Sequence, residues 1–446
     1  MNTPIVDFVK RYADSNALRM HMPGHKGVEF LGCEKYDITE ISGADVLYSA
    51  DGIIAESQKN AEKLFNTKAT FYSTEGSSLC IRAMLYLIKA YAVQNEKKPL
   101  VAAGRNAHKT FVTAAALLDV NVDWLMDDST NSLISGVINP NFVDKYLHTA
   151  QEKPIALYVT SPDYLGNIAD IKSLSEVCHK HDVLLIVDNA HGAYLKFLPK
   201  DIHPISLGAD ICCDSAHKTL PVLTGGAYLH IAKTAPDFLV DNAKKALDVF
   251  ASTSPSYLIL QSLDMANKYL SENYCADLSF FEKEVKELKC FLAQKGYTLC
   301  GDEPLKITLA TKGYGYTGCD LSDILFSQNI VCEFADPDYI VFMLTPQITK
   351  EELNRLKSAL CAIKQSDPIK KLPPVPRTSK TKISLADALF AQTKKLKIND
   401  CIGEISASID VACPPAIPII LPGEIISENT IECFKYYGIT EWHVVK

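Results

Sequence analysis

A lysine and an aspartate in the middle of the chain have the types and spacing for chemistry on an aldehyde cofactor. Lys218 stands in the segment Ser215-Ala216-His217-Lys218-Thr219, and Asp188 directly follows an apolar run over 183–187. A lysine amine can form a Schiff base with pyridoxal 5'-phosphate (PLP), and a carboxylate can pair with the pyridine nitrogen. The pattern therefore predicts an enzyme that breaks a bond at the α-carbon of an amino acid, with Lys218 and Asp188 as catalytic residues.

Two segments offer donors for the phosphate of such a cofactor. Ser215 and His217 flank the lysine, and Gly76, Ser77 and Ser78 begin a predicted helix. Free backbone N–H groups and the positive end of the helix dipole favour a phosphate at such a position. A plain N-cap is the alternative interpretation of the serines, because serine is favoured there for the same reason.

Two histidines are candidates for contact with the cofactor ring or the substrate. His108 follows the apolar run 100–103 and could stack on the ring, and His191 could hydrogen-bond the cofactor or the substrate carboxylate. A structural role stays open for each. His21 and His25 lack a carboxylate or cysteine at ligand spacing, so no metal is expected.

The elements that must position these residues alternate along the chain. From about 55 to 250, short apolar runs are separated by helix-length segments, which predicts an α/β fold with a mostly parallel, doubly wound sheet. Ligands bind such sheets at the carboxyl ends of the strands, where Asp188 would lie. The runs are Leu100–Ala103, Val122–Leu125, Ile155–Thr160, Val183–Val187, Ile211–Cys213 and Ala227–Ile231.

The chain is long enough for several domains. We predict an N-terminal arm over 1–55, a PLP-binding large domain over 56–255, a linking helix with a small α+β domain over 256–366, a linker over 367–380 and a C-terminal domain over 381–446. The expected elements of the small domain are strands Ile307–Thr311, Ile330–Phe334 and Tyr339–Leu344 with helices Asp320–Gln328 and Lys350–Ile363.

Composition excludes several classes of function. The net charge of −8 gives no support for nucleic acid binding, and no apolar run is long enough for a membrane span. The 14 cysteines show no regular spacing, which favours free thiols in a cytoplasmic protein.

Taken together, the chain resembles the Orn/Lys/Arg decarboxylase family, enzymes of PLP fold type I, and in particular its short bacterial form. The matching segments span nearly the whole chain: His21-Met22-Pro23-Gly24-His25-Lys26-Gly27, Asp37-Ile38-Thr39-Glu40 with Asp45, Gly76-Ser77-Ser78, Asn106-Ala107-His108-Lys109, Thr160-Ser161-Pro162, Val187-Asp188 with Ala190-His191-Gly192-Ala193, Ser215-Ala216-His217-Lys218, and Pro414-Pro415 through Pro418 to Pro422-Gly423-Glu424.

The resemblance implies roles for these residues. Lys218 would carry PLP, Asp188 would pair with the pyridinium and His108 would stack on the ring, while the phosphate would be held by Ser77, Ser78, Ser215 and His217. It also implies a homodimer or a higher assembly. Arginine, giving agmatine for polyamine synthesis, is the substrate that short members favour, with lysine and ornithine left open.

Some positions depart from the family pattern. The family often has asparagine where this chain has Glu75, threonine where it has Asp163, and glutamate where it has Asn189. It often has histidine at the position of Tyr194 and glycine at the position of Ala416. Recognition of a cationic side chain needs an acidic or hydroxylated end to the pocket. Our hypotheses for that role are Glu333, Glu404, Asp410 and Glu424.

Two other functions remain open from the sequence. The first is an aminotransferase or lyase on the same fold, although an arginine clamp for the substrate carboxylate is not evident, since Arg355 lies on a predicted helix and Arg377 in the linker. The second is a non-catalytic regulatory relative, against which the presence of Lys218, Asp188 and His108 argues.

Overall fold

The structure is a computed structural model, and it describes residues 1–126, 135–136, 138–375, 377–409 and 417–446. The helices of this part are α1 (Pro4–Ala13), α2 (Ile53–Phe65), α3 (Gly76–Gln94), α4 (Lys109–Leu117), α5 (Pro140–Thr149), α6 (Ile171–Lys180), α7 (Ala216–Thr219), α8 (Asp237–Asp248), α9 (Tyr257–Glu272), α10 (Tyr274–Gln294), α11 (Gly318–Phe326), α12 (Lys350–Ala362), α13 (Leu385–Phe390) and α14 (Glu428–Tyr436). None of them combines the length and apolar character needed to cross a bilayer.

The strands of the same residues form three sheets. They are β1 (Ala69–Ser73), β2 (Leu100–Gly104), β3 (Asn121–Leu125), β4 (Ala156–Thr160), β5 (Leu184–Asp188), β6 (Ile211–Asp214), β7 (Ala227–Ile231), β8 (Thr298–Cys300), β9 (Lys306–Ala310), β10 (Phe334–Ala335), β11 (Tyr339–Met343), β12 (Thr393–Lys397) and β13 (Glu441–Val445). The six strands predicted for the large domain are all present, each with bounds within one residue of the expected run.

The central sheet has seven strands in the order β1-β7-β6-β5-β4-β2-β3 and is mostly parallel. Strands β2 and β3 pair in parallel, as do β5 and β6, whereas β7 runs antiparallel to both β1 and β6. Strands β1, β2, β6 and β7 are buried along their whole length, which explains their nearly continuous apolar character. The predicted α/β fold class is confirmed.

The chain divides into two compact units, each of them discontinuous in sequence. The first unit comprises 1–99, 153–158 and 171–279, and the second comprises 100–152, 159–170 and 280–446. The five-part domain division predicted from the sequence stays a prediction, and limited proteolysis in the 367–380 linker would test it.

Within the second unit, a four-stranded sheet has the order β10-β11-β9-β8 and is antiparallel throughout. The predicted strand Ile330–Phe334 is wrong for most of its length, because only Phe334 joins β10. Asn329 has a left-handed backbone (φ 57°) and Val331 is 77% exposed, so this apolar run is not buried as a strand. A further pair, β12 and β13, packs over a small core that includes Phe434 and Trp442.

The long region 256–293 is two helices rather than one. Helix α9 ends at Glu272 and α10 begins at Tyr274, with Asn273 between them. Ser256 caps α9, since its hydroxyl accepts a hydrogen bond from the Ile259 N–H at 3.5 Å. The sequence predicted a linking helix here but not the break at Asn273.

Candidate active site

Asp188 and Lys218 belong to neighbouring strand ends in the first unit. Strands β5 and β6 are parallel, and Asp188, the last residue of β5, lies opposite Cys213 of β6. The short helix α7, which carries Lys218, begins two residues after β6 ends. Because parallel strands present their carboxyl ends at one edge of the sheet, both residues stand where such sheets bind ligands.

The Asp188 carboxylate is buried and accepts three hydrogen bonds, the weakest from the Cys213 thiol at 3.7 Å. The residue is 3% exposed, and its oxygens accept hydrogen bonds from the Tyr158 hydroxyl at 3.0 Å and from the Ala190 N–H at 3.2 Å. It caps no helix, since the next helical turn begins at Ala193 with Gly192 as its N-cap. The carboxylate is therefore fixed in orientation in a site that excludes most of the solvent.

The Lys218 amine contacts the predicted histidine His191. Lys218 Nζ lies 2.9 Å from His191 Nε2, and His191 is 6% exposed whereas Lys218 is half-buried. The contact allows a proton to pass between the amine and the imidazole. The predicted hydrogen bond from His191 to the cofactor or the substrate carboxylate stays a prediction.

The predicted phosphate residues also meet in this unit. Helix α3 begins at Gly76, whose N–H donates to the Gly225 carbonyl at 2.7 Å, and Ser215 Oγ donates to Ser77 Oγ at 2.7 Å. Burial lowers the pKa of His217, whose Nδ1 lies 3.0 Å from the Gly226 carbonyl oxygen. Two hydroxyls thus stand at the start of a helix, next to the turn that carries the lysine.

His108 lies in the second unit, at the start of α4. It is the N-cap of that helix, and its Nδ1 accepts a hydrogen bond from the Thr110 N–H at 3.1 Å. Its predicted stacking on the cofactor ring stays a prediction.

The acidic residues suggested for substrate recognition have partners of their own. Glu424 is buried and forms an ion pair with Arg105 at 3.1 Å, and Glu404 forms one with Lys394 at 3.0 Å. Glu333 accepts a hydrogen bond from a tyrosine hydroxyl at 3.0 Å. Asp410 lies outside the described residues, as do Pro414, Pro415 and Ala416.

The positions that depart from the family pattern are accommodated locally. The Glu75 carboxylate accepts a hydrogen bond from the Ser252 N–H at 2.7 Å, which engages its charge. Asp163 is buried and accepts from Ser135 Oγ at 2.7 Å. Tyr194 is fully buried, and Asn189 is buried against Asp214.

Two polar residues of the first unit were missed by the sequence analysis. Tyr158 lies inside β4, and a tyrosine in a buried strand needs a partner for its hydroxyl, which here is Asp188. Asp214 ends β6 just as Asp188 ends β5, so the same sequence feature could have indicated it.

Within the described residues, one group of side chains has ligand atoms close enough together to hold a metal ion. It consists of Asp214, His203 and His230.

Comparison with known protein families decides the classification. The family model "Orn/Lys/Arg decarboxylase, major domain" matches residues 3–289, and the model "Orn/Lys/Arg decarboxylase, C-terminal domain" matches residues 374–443. The chain belongs to the Orn/Lys/Arg decarboxylase family. The predicted family is confirmed, and with it the predicted class of enzyme, an amino acid decarboxylase.

Individual relatives agree with the family. The chain is 30% identical to the arginine decarboxylase of Bacillus subtilis (strain 168), over 96% of this chain and 92% of the relative. Among solved structures, lysine decarboxylase A from Pseudomonas aeruginosa is similar, with a TM-score of 0.82 and 16% identity over 99% of this chain and 80% of that one. The Sphingomonas wittichii serine palmitoyltransferase shares the fold more distantly, with a TM-score of 0.58 and 14% identity over 81% and 83% of the two chains.

Proposed function

We propose that this chain is a PLP-dependent decarboxylase that converts arginine to agmatine and CO2. The family match supports decarboxylation of a basic amino acid, and relatives named arginine decarboxylase that align with nearly the whole chain support arginine. The observation that carries the proposal is the placement of Asp188 and the Lys218 turn at the ends of two paired parallel strands.

The donor set of the first unit fits PLP. Lys218 offers an amine for the aldehyde, and Asp188 offers a buried carboxylate for the pyridine nitrogen. Ser77 and Ser215 offer hydroxyls beside the start of α3, which suits a phosphate. We assign Gly76, Ser78 and His217 to the same phosphate site, and His108 to stacking on the ring.

When bound, PLP supplies an electron sink for the electron pair that remains on the α-carbon as CO2 leaves. The Asp188 carboxylate would pair with the ring nitrogen, and the Tyr158 hydroxyl holds the carboxylate in one orientation. His191 Nε2 can take a proton from Lys218 Nζ across 2.9 Å, which leaves the amine nucleophilic. We assign the later protonation of the α-carbon to this same pair.

A purified protein and its Lys218→Ala variant test the proposal. The wild type should bind PLP and show an absorbance band at about 420 nm. It should also release CO2 from carboxyl-labelled arginine in an amount equal to the agmatine formed. Lysine and ornithine are assayed in parallel, and formation of a keto acid would indicate an aminotransferase instead. The Lys218→Ala variant should lose both the band and the turnover, and retention of either would refute the assignment.

We also propose that the chain acts as a homodimer. The N-terminal arm exposes large apolar side chains close together in sequence, among them Leu18 (83%), Met20 (81%), Phe30 (80%) and Leu31 (89%). A solvent-exposed apolar cluster of this kind is typical of an interaction surface, and a second copy of the chain is the partner that the family resemblance implies.

Light scattering after size-exclusion chromatography tests this assembly. Leu31→Ser should shift the protein toward monomer, whereas Val249→Ser, at another exposed apolar residue of the same unit, should leave the mass unchanged. A wild type that is monomeric at micromolar concentration would contradict the proposal.

We propose a cytoplasmic location on the basis of the cysteines. All 13 cysteines in the described residues are free thiols, as a reducing compartment would maintain them. Fractionation of producing cells with an antibody to the chain would test this location.

A further inference from the structure

The Asp214 carboxylate accepts from three side-chain nitrogen donors in the core of the first unit. His203 Nε2 lies 3.0 Å and His230 Nε2 3.3 Å from Oδ2, while Asn189 Nδ2 donates to Oδ1 at 2.6 Å. All four residues are fully buried. Neither Asp214 nor the two histidines belongs to the active-site residues assigned above.

The carboxylate fixes the direction of the two imidazole hydrogen bonds, because an ionised aspartate can only accept. Each Nε2 therefore carries the proton and donates to Asp214. On the other side of the rings, His203 Nδ1 accepts from the Ile205 N–H at 3.4 Å, and Thr70 Oγ1 lies 2.9 Å from His230 Nδ1. Although burial opposes ionisation, the two histidines hold the pKa of Asp214 well below its ordinary value. The residue is thus a carboxylate whose two oxygens are both occupied by donors.

This network joins the two strand ends of the active site. Asn189 directly follows Asp188, and Asp214 directly precedes Ser215 at the start of the lysine-bearing turn. The Asn189 N–H also donates to the Cys213 carbonyl at 3.0 Å, so backbone and side chain tie the same two segments together. A displacement of this contact would move the Asp188 carboxylate relative to the Lys218 turn.

The chemistry at position 189 depends on the residue at position 214. A group of residue 189 that faces the Asp214 carboxylate must be a hydrogen-bond donor, and the Asn189 amide supplies one. Space is also limited here, because a Cβ on Gly192 would lie 2.1 Å from Asn189 Oδ1. A carboxylate side chain at position 189, such as the glutamate frequent in the family, would meet the Asp214 charge in a buried site.

We propose that Asn189 and Asp214 are a matched pair of positioning residues, which holds the Asp188 strand end and the Lys218 turn in the geometry that binds the cofactor. The effect on the cofactor rests on the proposed PLP-dependent function. The match between the two side chains does not rest on that function, since it follows from the hydrogen bonds alone. Asparagine at position 189, which departs from the family pattern, therefore suits the carboxylate at position 214.

Four proteins test the pair: wild type, Asn189→Asp, Asp214→Asn and the double variant. Asn189→Asp places two carboxylates next to each other without a change of side-chain shape. The Tm of the apoprotein should therefore fall, and the Kd of PLP should rise at least about tenfold. The double variant should recover most of both losses. In it, the new amide at position 214 can donate to the new carboxylate at position 189, and the carbonyl oxygen of that amide can accept from the imidazoles.

Two measurements are made on each protein: thermal unfolding of the apoprotein, and PLP titration followed by quenching of intrinsic fluorescence. Asn267→Asp is the matched control, because Asn267 is fully buried in the same unit and its Nδ2 donates to the Tyr72 hydroxyl at 2.6 Å. It should lower Tm without any recovery when Asp214→Asn is added.

The outcomes separate the pair from the proposed function. Equal losses in Asn189→Asp and in the double variant would overturn the match between the two side chains. A low Tm with unchanged PLP affinity in Asn189→Asp would overturn its positioning role. If the wild type itself failed to bind PLP, the proposed function would be refuted, and with it the effect on cofactor binding. The Tm values of the apoproteins would still test whether the side chains of residues 189 and 214 are matched.

Discussion

Replacement of Asp188 by asparagine should weaken PLP binding far more than it weakens the fold. The Asp188 carboxylate is 3% exposed and accepts from the Tyr158 hydroxyl at 3.0 Å and the Ala190 N–H at 3.2 Å. An asparagine has the same shape and keeps one acceptor oxygen. It removes the negative charge that our proposal places beside a protonated ring nitrogen.

The magnitude follows from the lost charge-assisted hydrogen bond. Such bonds contribute about 1.5–3 kcal/mol, which corresponds to about 10- to 150-fold in the Kd of PLP. The fold should lose only about 1 kcal/mol, since the remaining oxygen can still accept from Tyr158 and a neutral hydrogen bond replaces a charged one. Decarboxylation at saturating PLP should fall further, because the ring nitrogen loses the partner that keeps it protonated.

Asp210→Asn is the matched control. Asp210 is also 3% exposed and precedes β6, where it accepts from the Leu185 N–H at 2.8 Å and lies 3.0 Å from His179 Nε2. This change should lower Tm and leave the Kd of PLP unchanged. Equal PLP affinity and turnover in wild type and Asp188→Asn, measured by absorbance titration and CO2 release, would refute the role of Asp188.

Three further results are expected. Glu424→Gln takes the carboxylate partner from the Arg105 guanidinium, whose side chain is 12% exposed, and should cost up to about 3–5 kcal/mol in urea unfolding; a change below about 1 kcal/mol would mean that the ion pair is not formed in solution. Burial raises the pKa of Asp264 to about 6, so the folded protein retains this proton to higher pH than the unfolded chain does. The free energy of unfolding of wild type relative to Asp264→Asn should therefore decrease as pH rises from about 4 to about 6, and a pH-independent difference would contradict this. Because three donors already occupy the Asp214 carboxylate, dialysis against a chelator should leave Tm unchanged, whereas a loss that zinc restores would identify a metal site.

The sequence alone was sufficient for the features that depend on local pattern. Short apolar runs at regular intervals predicted the strands of the central sheet, since a strand buried on both faces must be apolar along its whole length. The end of one such run marked Asp188 as a candidate, because ligands bind these sheets at the carboxyl ends of the strands. The pairing of β5 with β6, which places it beside the Lys218 turn, came from the structure. The break between α9 and α10 and the loss of the predicted strand 330–334 show the limit of this approach, as the pattern of apolar residues does not reveal where packing ends.

The tertiary structure alone decided which buried polar groups meet. Arg105 and Glu424 are far apart in sequence, yet they form a largely shielded ion pair, and Asp214 receives donors from three separate segments. No periodicity encodes such contacts, because each polar group in a core is satisfied by whatever donor or acceptor the fold brings within about 3 Å. The sequence therefore determined which residues could do the chemistry, and the packing of the first unit determined that the Asn189 amide meets the Asp214 carboxylate.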